Sequence, residues 1–189
     1  MNLNRKLILA SNSPRRKELL GKLDLEFEVM LKEVAEEYPP HLKREQVAEY
    51  LAGHKAEAYR QDLKAGQVLL TADTIVCLGS QVLNKPADAA EATRMLELLS
   101  GQVHEVITGV CLMSTEKKLV FHDLTHVHFK ELRAAEIAYY VQHYRPLDKA
   151  GAYGAQEWLG MIAMDRIEGS YFNVMGLPVH KVYQELQQF

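Results

Sequence analysis

Three cations in a row stand where a helix should begin. The stretch Leu7-Ile8-Leu9-Ala10-Ser11-Asn12-Ser13-Pro14-Arg15-Arg16-Lys17-Glu18-Leu19-Leu20-Gly21 opens on an apolar run short enough for one buried strand. Ser13 suits an N-cap, Pro14 the first helical position and Gly21 the position just past the end, so the segment predicts strand, tight loop and helix. Arg15, Arg16 and Lys17 then fall in the first turn, where the helix end already carries partial positive charge. An anion held jointly by the helix end and the cations would account for that placement. The alternative is three side chains pointing into water at a few tenths of a kcal/mol each. No Gly-x-x-x-x-Gly-Lys-Ser/Thr phosphate loop occurs in the chain.

The other residues able to do chemistry are scattered. Asp73 interrupts a strand-like apolar run from Gln67 to Leu78; a buried carboxylate needs a partner or a metal, so it is either a functional acid or a structural cap. Lys55 flanks the apolar face of a helix predicted over 45–63, where a lysine either snorkels outward or leans in to meet an anion. Lys85 follows a short return strand after a Gly79-Ser80 turn, as an ion-pair partner for Asp73 or as a phosphate ligand. In Asp148-Lys149-Ala150-Gly151-Ala152-Tyr153-Gly154-Ala155-Gln156 the backbone is nearly bare, which suits close approach of a ligand or a tight packed turn. Gln156 both donates and accepts, as a nucleobase edge requires. Glu33 and Glu36 lie in an acidic loop that Pro39-Pro40 ends; its carboxylates either bind a metal or are simply solvated. His126 and His128 would share one face of a strand near His122, but no Glu or Cys nearby completes a ligand set, and a polar sheet face is the expectation.

These residues need elements to hold them. Alternation predicts strands over 25–30, 67–78, 103–113 and 119–129, with a further strand over 161–167. Helical spacing predicts helices over 45–63, 88–99 and 134–144, a polar loop over 168–173 and a closing helix after Pro178. On the first of these helices Val47, Leu51 and Ala58 form the apolar face. Helices and strands interleave throughout, so the class is α/β or mixed α+β.

Composition narrows the function classes. The 189 residues favour one domain or two lobes sharing a core. A net charge of −3 argues against a general nucleic-acid binder. Cys77 and Cys111, both inside apolar runs, suit buried thiols in a reducing compartment. With neither a signal peptide nor a run of 18 apolar residues, the expected location is the cytoplasm, away from membranes.

Taken in order, Ser11-Asn12-Ser13-Pro14-Arg15-Arg16, Ala72-Asp73-Thr74, Asn84-Lys85-Pro86, Ser100-Gly101, Asp148 to Gly154, Ile167-Glu168-Gly169-Ser170-Tyr171 and Asn173 to Pro178 resemble the Maf family of nucleoside triphosphate pyrophosphatases. The resemblance implies a single Maf-like domain over 1–189, a two-lobed mixed α/β fold similar to inosine triphosphatase, with an elongated mixed sheet and a cleft between lobes. It implies hydrolysis of a nucleoside triphosphate to monophosphate and pyrophosphate with magnesium or manganese, and the Gly-Ala-Tyr-Gly and Glu-Gly-Ser-Tyr sequences resemble the branch acting on dTTP and UTP. By motif match Ser11, Arg15, Lys55 and Lys85 fall on phosphate-handling positions, Asp73 on the catalytic acid and Gln156 on a polar site of the cleft. The family usually has acid, aliphatic, acid, acid in the loop after the second strand; here the run is Glu33-Val34-Ala35-Glu36, with alanine third. The metal carboxylate there is then Glu36 or Glu33, or the metal rests mainly on Asp73 and the substrate. The expected partner is the nucleotide, with no nucleic acid or membrane and with a homodimer as the candidate assembly. The rival reading is a nucleotide-binding regulatory protein linked to septum formation, without significant catalysis.

Overall fold

Register along the third strand of one sheet positions most of the chemistry. The structure, a computed structural model, describes residues 4–189. They form β1 (Lys6–Leu9), α1 (Pro14–Gly21), β2 (Phe27–Val29), α2 (Glu45–Glu57), β3 (Gln67–Leu78), β4 (Gln81–Leu83), α3 (Ala89–Leu99), β5 (Val103–Met113), β6 (Lys118–Phe129) and α4 (Ala134–Tyr144). A 3-10 turn (Ala150–Ala152), α5 (Trp158–Ala163), β7 (Met164–Glu168), α6 (Tyr171–Val174) and α7 (Val179–Gln188) follow. The strands make one mixed sheet in the order β2-β1-β3-β5-β6-β7, with β4 paired to β3. β1 runs parallel to both β2 and β3, whereas β3–β4 and β6–β7 are antiparallel. The fold is therefore mixed α/β, as the interleaved pattern predicts.

The chain divides into two compact units. Of the described residues, the first holds 4–74, 108–123 and 176–189; the second holds 75–107 and 124–175. In the first, Ile8, Leu69, Cys111 and Met113 cluster with Ala52, Ala56 and Tyr59, so α2 and the turn after it cover that face of the sheet. In the second, α3 contributes Ala92, Met95, Leu96 and Leu99, and α4 contributes Ile137, Tyr140 and Val141, to one core with Val106, Val127 and Phe129.

Three local expectations change. The helix predicted over 45–63 stops at Glu57, and Ala58 is exposed; Ala48, Ala52 and Ala56 are buried instead. The tight packing of α2 on β5 explains this small-residue face: a Cβ on Gly109 would lie 2.2 Å from the Ala48 carbonyl oxygen. The strand expected over 161–167 begins only at Met164, because 158–163 coil into α5 with Gly160 packed against the Ala155 carbonyl. The polar loop expected over 168–173 contains α6, started by Ser170, whose hydroxyl accepts from the Asn173 N–H. Asn173 is fully buried and donates to the Val106 carbonyl and to Thr125 Oγ1. The histidines of β6 each face a carboxylate: His122 with Glu49 at 2.7 Å, His126 with Glu105 at 3.4 Å and His128 with Glu168 at 2.8 Å.

Candidate active site

β1 connects through α1 to β2 on one side, and β2 connects through α2 to β3 on the other side of β1. Right-handed crossovers then put α1 and α2 on opposite faces of the sheet. This makes the carboxyl end of β1 a topological switch point, where α/β sheets bind ligands. Ser11 sits there. The ladder pairs Leu9 with Leu70, and Ala10 N–H still bonds the Leu70 carbonyl, after which β1 ends and β3 runs on. Ser11 is buried, and its Oγ accepts from the Ser13 N–H at 3.2 Å. Ser13 caps α1 by accepting from the Arg16 N–H, with Pro14 opening the helix, as the sequence predicts.

Along β3, beside β1 and past its end, strand alternation sorts the side chains. Leu69, Thr71 and Asp73 face α2. Thr71 Oγ1 donates to the Ala52 carbonyl at 2.7 Å, and Lys55 Nζ reaches Asp73 Oδ1 at 2.5 Å. Lys55 also meets Glu36 Oε1 at 2.7 Å. Of the two readings of Lys55, it is the inward one that the fold adopts. The ammonium joins an acid of the loop to the acid of the strand, with the side chains of Lys55 and Asp73 only 16% and 11% exposed. Glu33 lies in the same loop and is exposed.

One residue further along β3, Thr74 faces the other side. Its hydroxyl takes a hydrogen bond from Arg16 Nη2 at 3.0 Å and lies 3.0 Å from Thr108 Oγ1, while Arg16 Nε donates to the Gly176 carbonyl at 2.8 Å. Desolvation lowers the Arg16 pKa from its ordinary value, and the nearby Asp73 charge opposes the shift. Neither Arg16 nor Thr74 stood out in the sequence as a positioned pair. The signal was available in the alternation: if Asp73 faces one helix, Thr74 must face the other. One of the three oddly placed cations is thus a brace between α1, β3 and the segment before α7. Arg16→Ala is expected to lower the unfolding free energy by about 2 kcal/mol, the loss of hydrogen bonds made by a charged donor. Arg16→Lys should recover less than half, because a single ammonium cannot reproduce the fork that spans carbonyl and hydroxyl. Urea unfolding of the two variants checks this, and an Arg16→Ala protein as stable as the parent would contradict it.

The remaining candidates belong to the second unit. Lys85 lies just past the β3–β4 ladder, which ends at Val76 and Leu83. Gln156 ends the bare-backbone segment, and its Oε1 is buried without a hydrogen-bond partner among the described residues. That segment turns through two consecutive left-handed residues, Gly151 at φ 66° and Ala152 at φ 59°. The glycine is needed, since a Cβ there would press on Val76 at 3.0 Å. For Ala152 the conformation costs roughly 1–2 kcal/mol, which persists only where the surroundings over-determine it.

A carboxylate held by an ammonium at a switch point, next to a capped helix start rich in cations, is chemistry suited to phosphate esters and anhydrides. Comparison with known proteins agrees. The chain is 51% identical over 187 residues to a dTTP/UTP pyrophosphatase of Porphyromonas gingivalis, covering 97% of this chain and 94% of that protein. It is 50% identical over 189 residues to a dTTP/UTP pyrophosphatase of Bacteroides fragilis, covering 99% and 98%. Among solved structures, the Ham1 protein of Staphylococcus aureus resembles it in fold, with a TM-score of 0.51 at 14% identity over 97% of this chain and all of that one. The description Maf-like protein matches residues 6–189, and the chain belongs to that family.

Proposed function

We propose that this protein is a nucleoside triphosphate pyrophosphatase that hydrolyses dTTP and UTP to the monophosphate and pyrophosphate. Relatives at about half identity over nearly their full length carry that activity in their names, which supports the substrate class. The observation that carries the reading is Asp73, buried beside the switch point and bound to Lys55. Hydrolysis of an α-phosphate with pyrophosphate leaving asks for positioning and charge neutralisation more than for covalent chemistry. In this reading Ser11 and Arg15 hold phosphate oxygens at the start of α1, and Lys55 and Lys85 neutralise the chain. Asp73 orients the attacking water or takes its proton. Gln156 meets the edge of the base with its amide.

The donor set at Asp73 and Glu36 fits a divalent cation of the magnesium or manganese class. Such ions favour carboxylate oxygens and take one or two of them, leaving further positions to phosphates and water. Both carboxylates already share one cation, the Lys55 ammonium, so they are close enough to serve the same positive charge. Asp73 and Glu36 would hold the ion, with Glu33 the alternative from the same loop. When bound, it supplies Lewis-acid stabilisation of the charge on the phosphate oxygens. With the ion on the carboxylates, the Lys55 ammonium would be released to meet the phosphate chain.

The same reading puts the enzyme in the cytoplasm, which its buried Cys77 and Cys111 thiols support. Among the described residues no helix is long and apolar enough to cross a membrane. Pyrophosphate release from a nucleotide panel with Mg²⁺ or Mn²⁺ tests the proposal. dTTP and UTP should be turned over in preference to purine triphosphates. No release from any nucleotide would overturn it in favour of a regulatory nucleotide-binding protein.

A further inference from the structure

The segment that carries Gln156 is tied at three points by one polar knot around a buried tyrosine and a buried lysine. Its centre is Tyr140, fully buried on α4. The Tyr140 hydroxyl donates to Glu157 Oε2 and accepts from the Gly154 N–H at 3.0 Å. The other oxygen of Glu157 meets Lys149 Nζ at 3.2 Å, and the same ammonium lies 2.6 Å from Asp148 Oδ1. Lys149 is itself buried, its side chain 9% exposed. The knot therefore grips the loop at Lys149, where it begins, at Gly154 in its middle and at Glu157, directly after Gln156. Its packing is close: a Cβ on Gly154 would lie 2.8 Å from the Glu157 carboxyl carbon. Burial first, and then the bond to Glu157, raise the Tyr140 pKa well above the usual phenol range, so the hydroxyl keeps its proton and remains a donor.

A buried lysine and tyrosine tied to a partly buried glutamate are expensive to assemble, and an apolar core of similar volume would often be as stable. The loop they hold is also strained, with Ala152 in a left-handed conformation. Both features point away from stability as the purpose. They point toward fixing a position, and the residue whose position is fixed is Gln156. Its amide has two ends of opposite character. An oxygen facing the N3–H of uracil, with the amide nitrogen facing O4, matches uracil or thymine; cytosine, with an acceptor at N3 and an amine at C4, needs the reverse. A loop free to shift would leave the amide room to turn about its last bond and present either end.

We propose that Tyr140, Glu157 and Lys149 are positioning residues that set the base selectivity of the enzyme by fixing Gln156 against a uracil or thymine edge. This rests on the proposed contact between Gln156 and the base. The test is kcat/KM for UTP and for CTP in the parent, Tyr140→Phe, Gln156→Ala and the double variant. Gln156→Ala should collapse the preference for UTP. Tyr140→Phe should lower the UTP-to-CTP ratio about tenfold, the factor expected when a hydrogen bond to a charged group is lost. In the Gln156→Ala background Tyr140→Phe should leave the ratio unchanged, because its effect passes through Gln156. Glu157→Gln, which keeps size and an acceptor for Tyr140 but loses the charge facing Lys149, should shift the ratio in the same direction and supplies the test if Tyr140→Phe does not fold. A merely structural role would slow both substrates by the same factor; that result, with Gln156→Ala still altering the ratio, would overturn the inference alone. An unchanged ratio in Gln156→Ala would overturn it together with the assigned role of Gln156.

Discussion

Asp73→Asn is expected to slow pyrophosphate release from UTP by roughly a thousandfold, within the range that loss of a positioned acid–base group gives. The substitution keeps the shape of the side chain and an oxygen able to accept from Lys55. It removes the negative charge that would orient or deprotonate water and help hold a divalent ion. The protein should survive the change. Breaking a buried ion pair is costly when the partner charge is left alone, but Lys55 retains Glu36 at 2.7 Å. Melting should therefore fall by only a few degrees, about 2–4 °C per kcal/mol for a chain of this size. Steady-state turnover and thermal denaturation on the same preparation separate the two effects. A folded Asp73→Asn protein within tenfold of the parent rate would remove Asp73 from the chemistry.

The largest effect on stability is expected far from any charge. In β5, Gly109 lies against the backbone of α2, where an added Cβ would stand 2.2 Å from the Ala48 carbonyl oxygen, 2.3 Å from its carbon and 2.7 Å from the Glu49 nitrogen. All three are main-chain atoms, so no side chain can rotate away; the helix or the strand must move. Gly109→Ala should cost about 3 kcal/mol or more, the upper range for overpacking. That corresponds to a fall in melting temperature of roughly 10 °C. Gly53 on the same helix is the internal control. Its nearest neighbour is the end of the Lys118 side chain at 3.5 Å, ordinary contact distance, so Gly53→Ala should be neutral or stabilise by up to about 1 kcal/mol through helix propensity. Because α2 also carries Lys55, Gly109→Ala should cost activity as well. An unchanged melting temperature in Gly109→Ala would mean that the helix and strand are not in register as described.

Elements set by a strong local period were legible in advance. β3 spans Gln67–Leu78, β5 spans Val103–Met113 and α4 spans Ala134–Tyr144, each where the apolar pattern puts it. The boundaries that moved depend on tertiary contact. α2 ends early, at Glu57, with Ala58 exposed, and 158–163 are helical with Gly160 seated on the Ala155 carbonyl. Neither fact is written in the local run of residue types. The same division holds at the site. Asp73 stood out because a carboxylate inside an apolar strand needs an explanation, and it lies where that argument places it, next to a cation. Arg16 stood out as one of three cations at a helix start, but its partners did not, and Tyr140 did not stand out at all. Their partners, Gly176, Thr74, Glu157 and Gly154, lie 160, 58, 17 and 14 residues away, beyond the reach of any local pattern.

The split at β3 has a consequence for how this chain can change. Asp73 serves the α2 side and its neighbour Thr74 the α1 side, in a strand whose opposite ends are fixed by pairing with β1 and β4. Replacing a side chain along it disturbs one face, whereas changing its length disturbs both. One residue inserted or deleted between Leu70 and Asp73 would turn the acid toward the Arg16 brace and leave the Lys55 ammonium facing a residue meant for the other side. A substitution here costs only the contacts of the residue replaced; an insertion or deletion exchanges the two faces for every residue beyond it.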